Sequence, residues 1–161
     1  MLLAGAPSAR AADVYRIPLV DQRGERFTLG DLRGHSAALA FVATRCTDVC
    51  PIVDVVFARV AARLLRAHSG AQLVTITLDP VYDSPFVMAS PARSYAANTA
   101  HWRWVSGLPA NVKRIPAAFN VAHDGPQTHS TFVYVLDRHG KLRRTLLLGL
   151  DADGPIFNFL H

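Results

Sequence analysis

Cysteine is scarce in this chain: two residues in 161, which excludes a disulfide framework as the source of its stability. Lysine is equally scarce. Only Lys113 and Lys141 stand among the 17 Lys and Arg, so the excess over 12 Asp and Glu, a formal +5, is carried by arginine. Those arginines are scattered and not interleaved with aromatics, the pattern of base-composition bias and not of a nucleic-acid footprint. Nucleic acid is therefore not expected as a partner. No run approaches the roughly 18 apolar residues of a membrane span. Internal repeats, low-complexity blocks and Gly/Ser linkers are also missing past the N-terminus. What remains is 50% hydrophobic and 18% charged, enough to bury one core of ordinary domain size.

The first twelve residues stand apart. Met1-Leu-Leu-Ala-Gly-Ala-Pro-Ser-Ala-Arg-Ala-Ala12 resembles the end of a secretory signal, with Ala9-Arg10-Ala11 as an A-x-A cleavage site. It lacks a basic n-region and has only a stub of apolar core, so an Ala-rich leader and a misplaced start codon stay open beside the signal. The expected organisation is a leader over 1–12 and one domain over 13–161.

Val14–Val20 and Glu25–Leu29 flank Asp21-Gln22-Arg23-Gly24 and predict an opening hairpin. Ala37–Ala43 is a continuous apolar run, the pattern of a strand buried on both faces. Past Cys46 and Cys50, Pro51 suits a first helical turn. Val53, Val56, Val60 and Leu64 then recur at helical spacing until Ser69-Gly70. Gln72–Leu78 predicts the next strand, closed by Asp79-Pro80. Next come a helix over Phe86–Asn98 interrupted near Pro91, a strand at Trp102–Val105 and a short helix over Pro109–Phe119. Trp102 and Trp104 are expected to place one ring in the core and one on the surface. Thr131–Leu136 and Lys141–Leu148 form a hairpin about Asp137-Arg138-His139-Gly140, and a short helix follows Asp151. This order predicts an α/β fold of thioredoxin-like type, a central mixed sheet flanked by helices with an N-terminal β-hairpin. Both cysteines then lie where a buried strand turns into a helix, whose N-terminal N–H groups favour a thiolate.

The pair Cys46-Thr47-Asp48-Val49-Cys50 admits three readings. A local disulfide would close too small a loop to stabilise much. A redox pair needs one thiol with a lowered pKa and a second to resolve it, with Cys46, ahead of the helix, as the more exposed nucleophile. A metal site needs more ligands, and two thiolates with one imidazole suit Cu(I). Of the seven histidines, His35, His68, His139 and His161 fall at turns or ends, and His101 and His123 in loops. His129 stands two residues ahead of the strand Thr131–Leu136, which in a thioredoxin-like sheet brings it beside the cysteine turn. Asp79 and Asp83 lie where a strand ends, a place for functional groups, yet Asp-Pro and Ser-Pro also shape turns. Asp48 is a candidate helix cap or neighbour of the site.

Three stretches together, Phe41-Val-Ala-Thr-Arg-Cys46-Thr-Asp48-Val-Cys50-Pro51, Asp79-Pro80-Val-Tyr-Asp83-Ser84-Pro85 and His129-Ser130 ahead of Phe132–Lys141, closely resemble the SCO/SenC copper-chaperone family. The resemblance runs from about Val14 to Leu148. It implies that Cys46, Cys50 and His129 are ligands of Cu(I) or Cu(II), with Asp48, Asp79 and Asp83 around them, in a fold that has lost ordinary thioredoxin activity. It also implies a role in assembling the binuclear CuA centre of cytochrome c oxidase subunit II. That role is delivery of copper received from a donor protein, reduction of the centre's cysteines, or both. The implied location is periplasmic, on the extracytoplasmic side of the inner membrane, with anchoring undecided. Thr47 replaces a frequent proline and Thr128 a frequent aspartate of the family pattern. The latter change bears on the basicity of His129, which outer partners commonly set. The competing enzyme-class reading is a thiol-disulfide reductase acting through Cys46 and Cys50 on a partner's cysteines. A peroxiredoxin-like peroxidase fits less well, because it has no use for the Cys50 spacing.

Overall fold

The computed structural model describes residues 13–46, 50–95, 100–121 and 132–161, with Cys50 described through its helical backbone. Seven strands form one sheet: β1 (Leu19–Asp21), β2 (Arg26–Phe27), β3 (Ala37–Val42), β4 (Gln72–Thr77), β5 (Trp102–Ser106), β6 (Phe132–Leu136) and β7 (Leu142–Leu147). Their spatial order is β2-β1-β5-β4-β3-β6-β7. β3, β4 and β5 run parallel, and the other pairings are antiparallel. The sheet is thus mixed, as the alternation of strands and helices predicts, with an N-terminal hairpin at one edge.

All six residues of β3 are buried, because helices cover both faces of the sheet at its centre. Ala38, Ala40 and Val42 meet the stripe Val53, Val56, Phe57, Val60 and Leu64 of helix α1 (Cys50–Arg66). Leu39 and Phe41 meet Ile115 and Phe119 on the other face, in and just past helix α4 (Arg114–Ala118). Full burial of such a side chain contributes roughly 1.5–3 kcal/mol, so this central layer fixes the register of the strand that leads to Cys46. α1 ends at Arg66, earlier than Ser69-Gly70. His68 takes a left-handed conformation (φ 50°) and the Ser69 N–H reaches back to the Leu64 carbonyl at 3.0 Å, the geometry of a helix C-terminus.

Helix α2 (Pro85–Ser94) is capped by Ser84, whose hydroxyl accepts from the Val87 N–H at 3.3 Å, and it contains Pro91 without breaking there. α3 (Pro109–Val112) and α4 divide the expected Pro109–Phe119 helix in two. α5 (Asp153–Leu160) packs against α1 and β3.

Two expectations fail. The opening strand does not begin at Val14: residues 13–16 form a helical turn, and strand pairing starts at Leu19, after Pro18. Trp102 and Trp104 are both buried, at a ring separation of 6.0 Å. Residues two apart on a strand point to the same face, so both rings enter one core. Arg103 between them points to the other face and reaches the buried Asp21 carboxylate at 2.7 Å.

Candidate functional site

β3 leaves the core at Val42, and residues 43–46 make a tight turn in which the Cys46 N–H donates to the Ala43 carbonyl at 3.0 Å. Cys50 is the first residue of the 17-residue helix α1. The expected setting of the cysteine pair, between a buried strand and the N-terminus of a helix, is therefore met by the backbone. Cys46 is recessed and only 8% exposed, packed with the α1 side of the core. The thiol expected to be the more exposed of the pair thus has little exposure of its own, because the turn folds it back over the end of β3. Asp48, Thr47 and His129 lie outside the described residues, as does the side chain of Cys50. β6 begins at Phe132 and pairs antiparallel with β3, Leu39 opposite Tyr134, so the start of β6 lies at the end of the sheet that carries Cys46.

The second acidic motif holds this turn from the adjacent strand. Asp83 is fully buried. Its carboxylate accepts from the Thr44 N–H at 3.1 Å, from the Thr44 hydroxyl and from the Thr77 hydroxyl at 2.6 Å. Its own N–H donates to the Asp79 carbonyl at 2.8 Å, and the Thr77 hydroxyl accepts from the Asp79 N–H at 2.9 Å. Thr77 closes β4 opposite Val42 of β3, so the two strand ends and the loop after β4 are tied into one unit. Asp79 binds the residue beside Cys46: its carboxylate accepts two N–H bonds from the Arg45 guanidinium, one of 3.0 Å from Nε. The guanidinium lies 4.4 Å above the Tyr82 ring, a cation–π contact. Hydrogen bonding to Asp79 holds Arg45 above its ordinary pKa. Both carboxylates are thus spent on the Cys46 turn, and neither faces solvent.

Sequence reasoning passed over Thr44, Arg45, Thr77 and Tyr82, which make these contacts. The two threonines were discernible as polar residues ending adjacent apolar strands. It also passed over Asp54, one helical turn past Cys50. Asp54 is 6% exposed, its Oδ1 has no hydrogen-bond partner, and burial pushes its pKa up to about 7. An acid beside the apolar stripe of α1 was the available signal.

Among the described residues no group of three His, Cys, Asp or Glu converges to hold a metal. The described part of the site is Cys46, recessed in the turn that leads toward the α1 N-terminus, and its clamp of aspartates.

Known proteins share this fold. The chain is 28% identical over 151 residues to an SCO2-like protein of Rickettsia typhi, covering 89% of this chain and 73% of that protein. A crystal structure of a SCO1/SenC family lipoprotein from Bacillus anthracis superposes with a TM-score of 0.79 at 21% identity, covering 89% of each chain. Yeast Sco1 with copper bound superposes with a TM-score of 0.70 at 25% identity, covering 81% of this chain and 79% of that one. The SCO1/SenC family model matches residues 8–153, and over that span the chain carries both cysteines and the two aspartates that brace their turn: it belongs to the SCO1/SenC family.

Proposed function

We propose that this protein binds copper and serves the assembly of cytochrome c oxidase, holding one ion through Cys46, Cys50 and His129 and passing it to the CuA centre of subunit II. The observation that carries the reading is the cysteine turn itself, two cysteines between a buried strand and a helix N-terminus, braced on Thr44 and Arg45 by Asp83 and Asp79. Two thiolates and an imidazole suit Cu(I), a soft ion content with few ligands. A three-ligand set leaves one side open, so incoming thiolates and imidazoles of an acceptor can replace the ligands one at a time. No electrons move in that exchange, and each thiol that binds the metal gives up its proton to solvent. The proposed location is the extracytoplasmic side of the inner membrane. Among the described residues no helix is long and apolar enough to cross a membrane.

The α1 N-terminus also favours a second reading, thiol-disulfide reduction. A thiolate of the pair attacks a partner disulfide, the other displaces the partner's sulfur, and the partner leaves as a dithiol while Cys46 and Cys50 become a disulfide. That chemistry has no place for His129 as a ligand.

An anaerobic competition titration of the reduced protein with Cu(I) separates the two. Tight stoichiometric binding that needs both cysteines and weakens in His129→Ala supports the copper reading. Weak binding indifferent to His129, in a protein that reduces partner disulfides, replaces it with the second.

A further inference from the structure

Six exposed apolar residues stand at the strand ends flanking the Cys46 turn, and we infer that this rim is the docking surface for a partner protein that brings its own cysteines onto the site. The inference rests on the transfer reading above and names where the acceptor sits. Val81, Tyr82 and Phe86 follow β4, Leu108 follows β5, Phe132 opens β6 and Leu147 closes β7. All six are exposed, Phe86 to 88% and Leu147 to 70%. Strand directions put every one of these positions at the same end of the sheet. β3, β4 and β5 are parallel and finish there, β6 is antiparallel to β3 and starts there, and β7 returns there. In the order β5-β4-β3-β6-β7, the strand that ends in Cys46 is the middle one, with apolar positions on both strands to either side.

The dimensions suit a protein. Adjacent strands lie about 4.8 Å apart, so five strand ends span roughly 20 Å. Side chains of this size carry roughly 150–250 Å² each, and at their exposures the six present on the order of 700 Å². One partner contributes about 800 Å² to a standard protein–protein interface.

Recession of Cys46 argues for a projecting occupant. Metal–sulfur bonds are about 2.3 Å long, so an acceptor sulfur has to reach down to a residue that is 8% exposed. Only a loop whose flanks rest on the surrounding rim meets both conditions.

The test uses the full chain, reduced and loaded with Cu(I), with Phe86→Asp and Leu147→Asp on opposite sides of β3. Leu65→Asp is the control, an exposed residue 15 positions down α1 from Cys50. Transfer is timed to two acceptors, glutathione, which needs no docking, and the isolated copper-binding domain of oxidase subunit II. Each rim variant is expected to slow transfer to the domain at least tenfold and leave transfer to glutathione unchanged, with the control unaffected in both. Unchanged transfer to the domain overturns the inference, and so does equal slowing toward both acceptors, which would mean that the rim shapes the site. Loss in the rim variants of binding to phosphatidylglycerol vesicles, or of a concentration-dependent dimer, also overturns it and assigns the rim to lipid or to a second copy. If the chain takes up no Cu(I), the copper reading falls alone. Binding of the domain to the reduced, metal-free chain, wild type against rim variants, then decides the inference by itself.

Discussion

The Asp83 carboxylate receives both the backbone N–H and the hydroxyl of Thr44, a residue 39 positions away, and this pair of contacts anchors the turn that presents Cys46. With the Thr77 hydroxyl at 2.6 Å, two donors from the turn after β3 and one from the end of β4 converge on one buried carboxyl. Asp83→Ala strands those donors without acceptors, at roughly 1–3 kcal/mol for each one left unsatisfied. The expected loss is about 3 kcal/mol, seen as a lower urea midpoint, with Cu(I) affinity reduced about tenfold, the usual scale for outer partners of a metal site. Asp83→Asn keeps one carbonyl oxygen for Thr44 and Thr77 and restores most of both. Equal affinity in the alanine variant would detach Asp83 from the site.

Asp54 gives stability an unusual pH dependence. Its pKa is raised by burial from 3.8 to about 7, so between these values the folded protein holds a proton that the unfolded chain has released. Stability therefore falls as pH rises from about 4 to about 7, then levels off. The gap corresponds to roughly 4 kcal/mol at most. Asp54→Asn removes this contribution. Its advantage over the wild type in urea unfolding should grow from roughly 1–2 kcal/mol at pH 5 to about 4 kcal/mol at pH 8. Parallel curves for the two proteins would show that Asp54 titrates like an exposed carboxyl.

β3 and α1 were legible because each carries its burial pattern locally. A run such as Ala37–Ala43 fits only a strand covered on both faces, and Val53, Val56, Val60 and Leu64 fit only one face of a helix. Their junction then located both cysteines. The clamp was not legible, since Asp83 meets Thr44 only after β3 and β4 have paired. Sequence spacing likewise says nothing of how far a turn sinks its cysteine. Trp102 and Trp104 are a different case: their spacing of two was itself sufficient to put both rings in one core, and the intervening arginine obscured it.

The β1–β2 and β6–β7 turns offer a comparison of two glycines. Gly140 has φ +79°, and a Cβ there would lie 3.1 Å from the Tyr15 ring, whose hydroxyl donates to the Gly140 carbonyl. Gly24 has φ +82° with nothing within 4 Å. Alanine in a left-handed conformation costs roughly 1–2 kcal/mol, so Gly24→Ala should lower stability by about that much. Gly140→Ala should lower it further, because the ring must also shift. Thermal unfolding of both variants checks the order, and equal losses would show that Tyr15 yields without cost.

His129 separates the two chemistries open to the cysteine pair. A third donor tightens the hold on Cu(I) that two thiolates begin, whereas a disulfide forms between sulfurs alone and needs none. His129→Ala should therefore weaken Cu(I) binding about tenfold or more, the scale on which removal of even an outer partner acts. The midpoint potential of the Cys46–Cys50 couple should move by less than about 10 mV, since 30 mV already corresponds to a tenfold change in its equilibrium. Both quantities come from one protein preparation, by competition with a Cu(I) chelator and by equilibration in glutathione buffers. A variant whose potential shifts while its copper affinity stays fixed would reverse the assignment. The imidazole would then stabilise a thiolate of the redox pair by charge, and the ligand set would have to be completed by another residue.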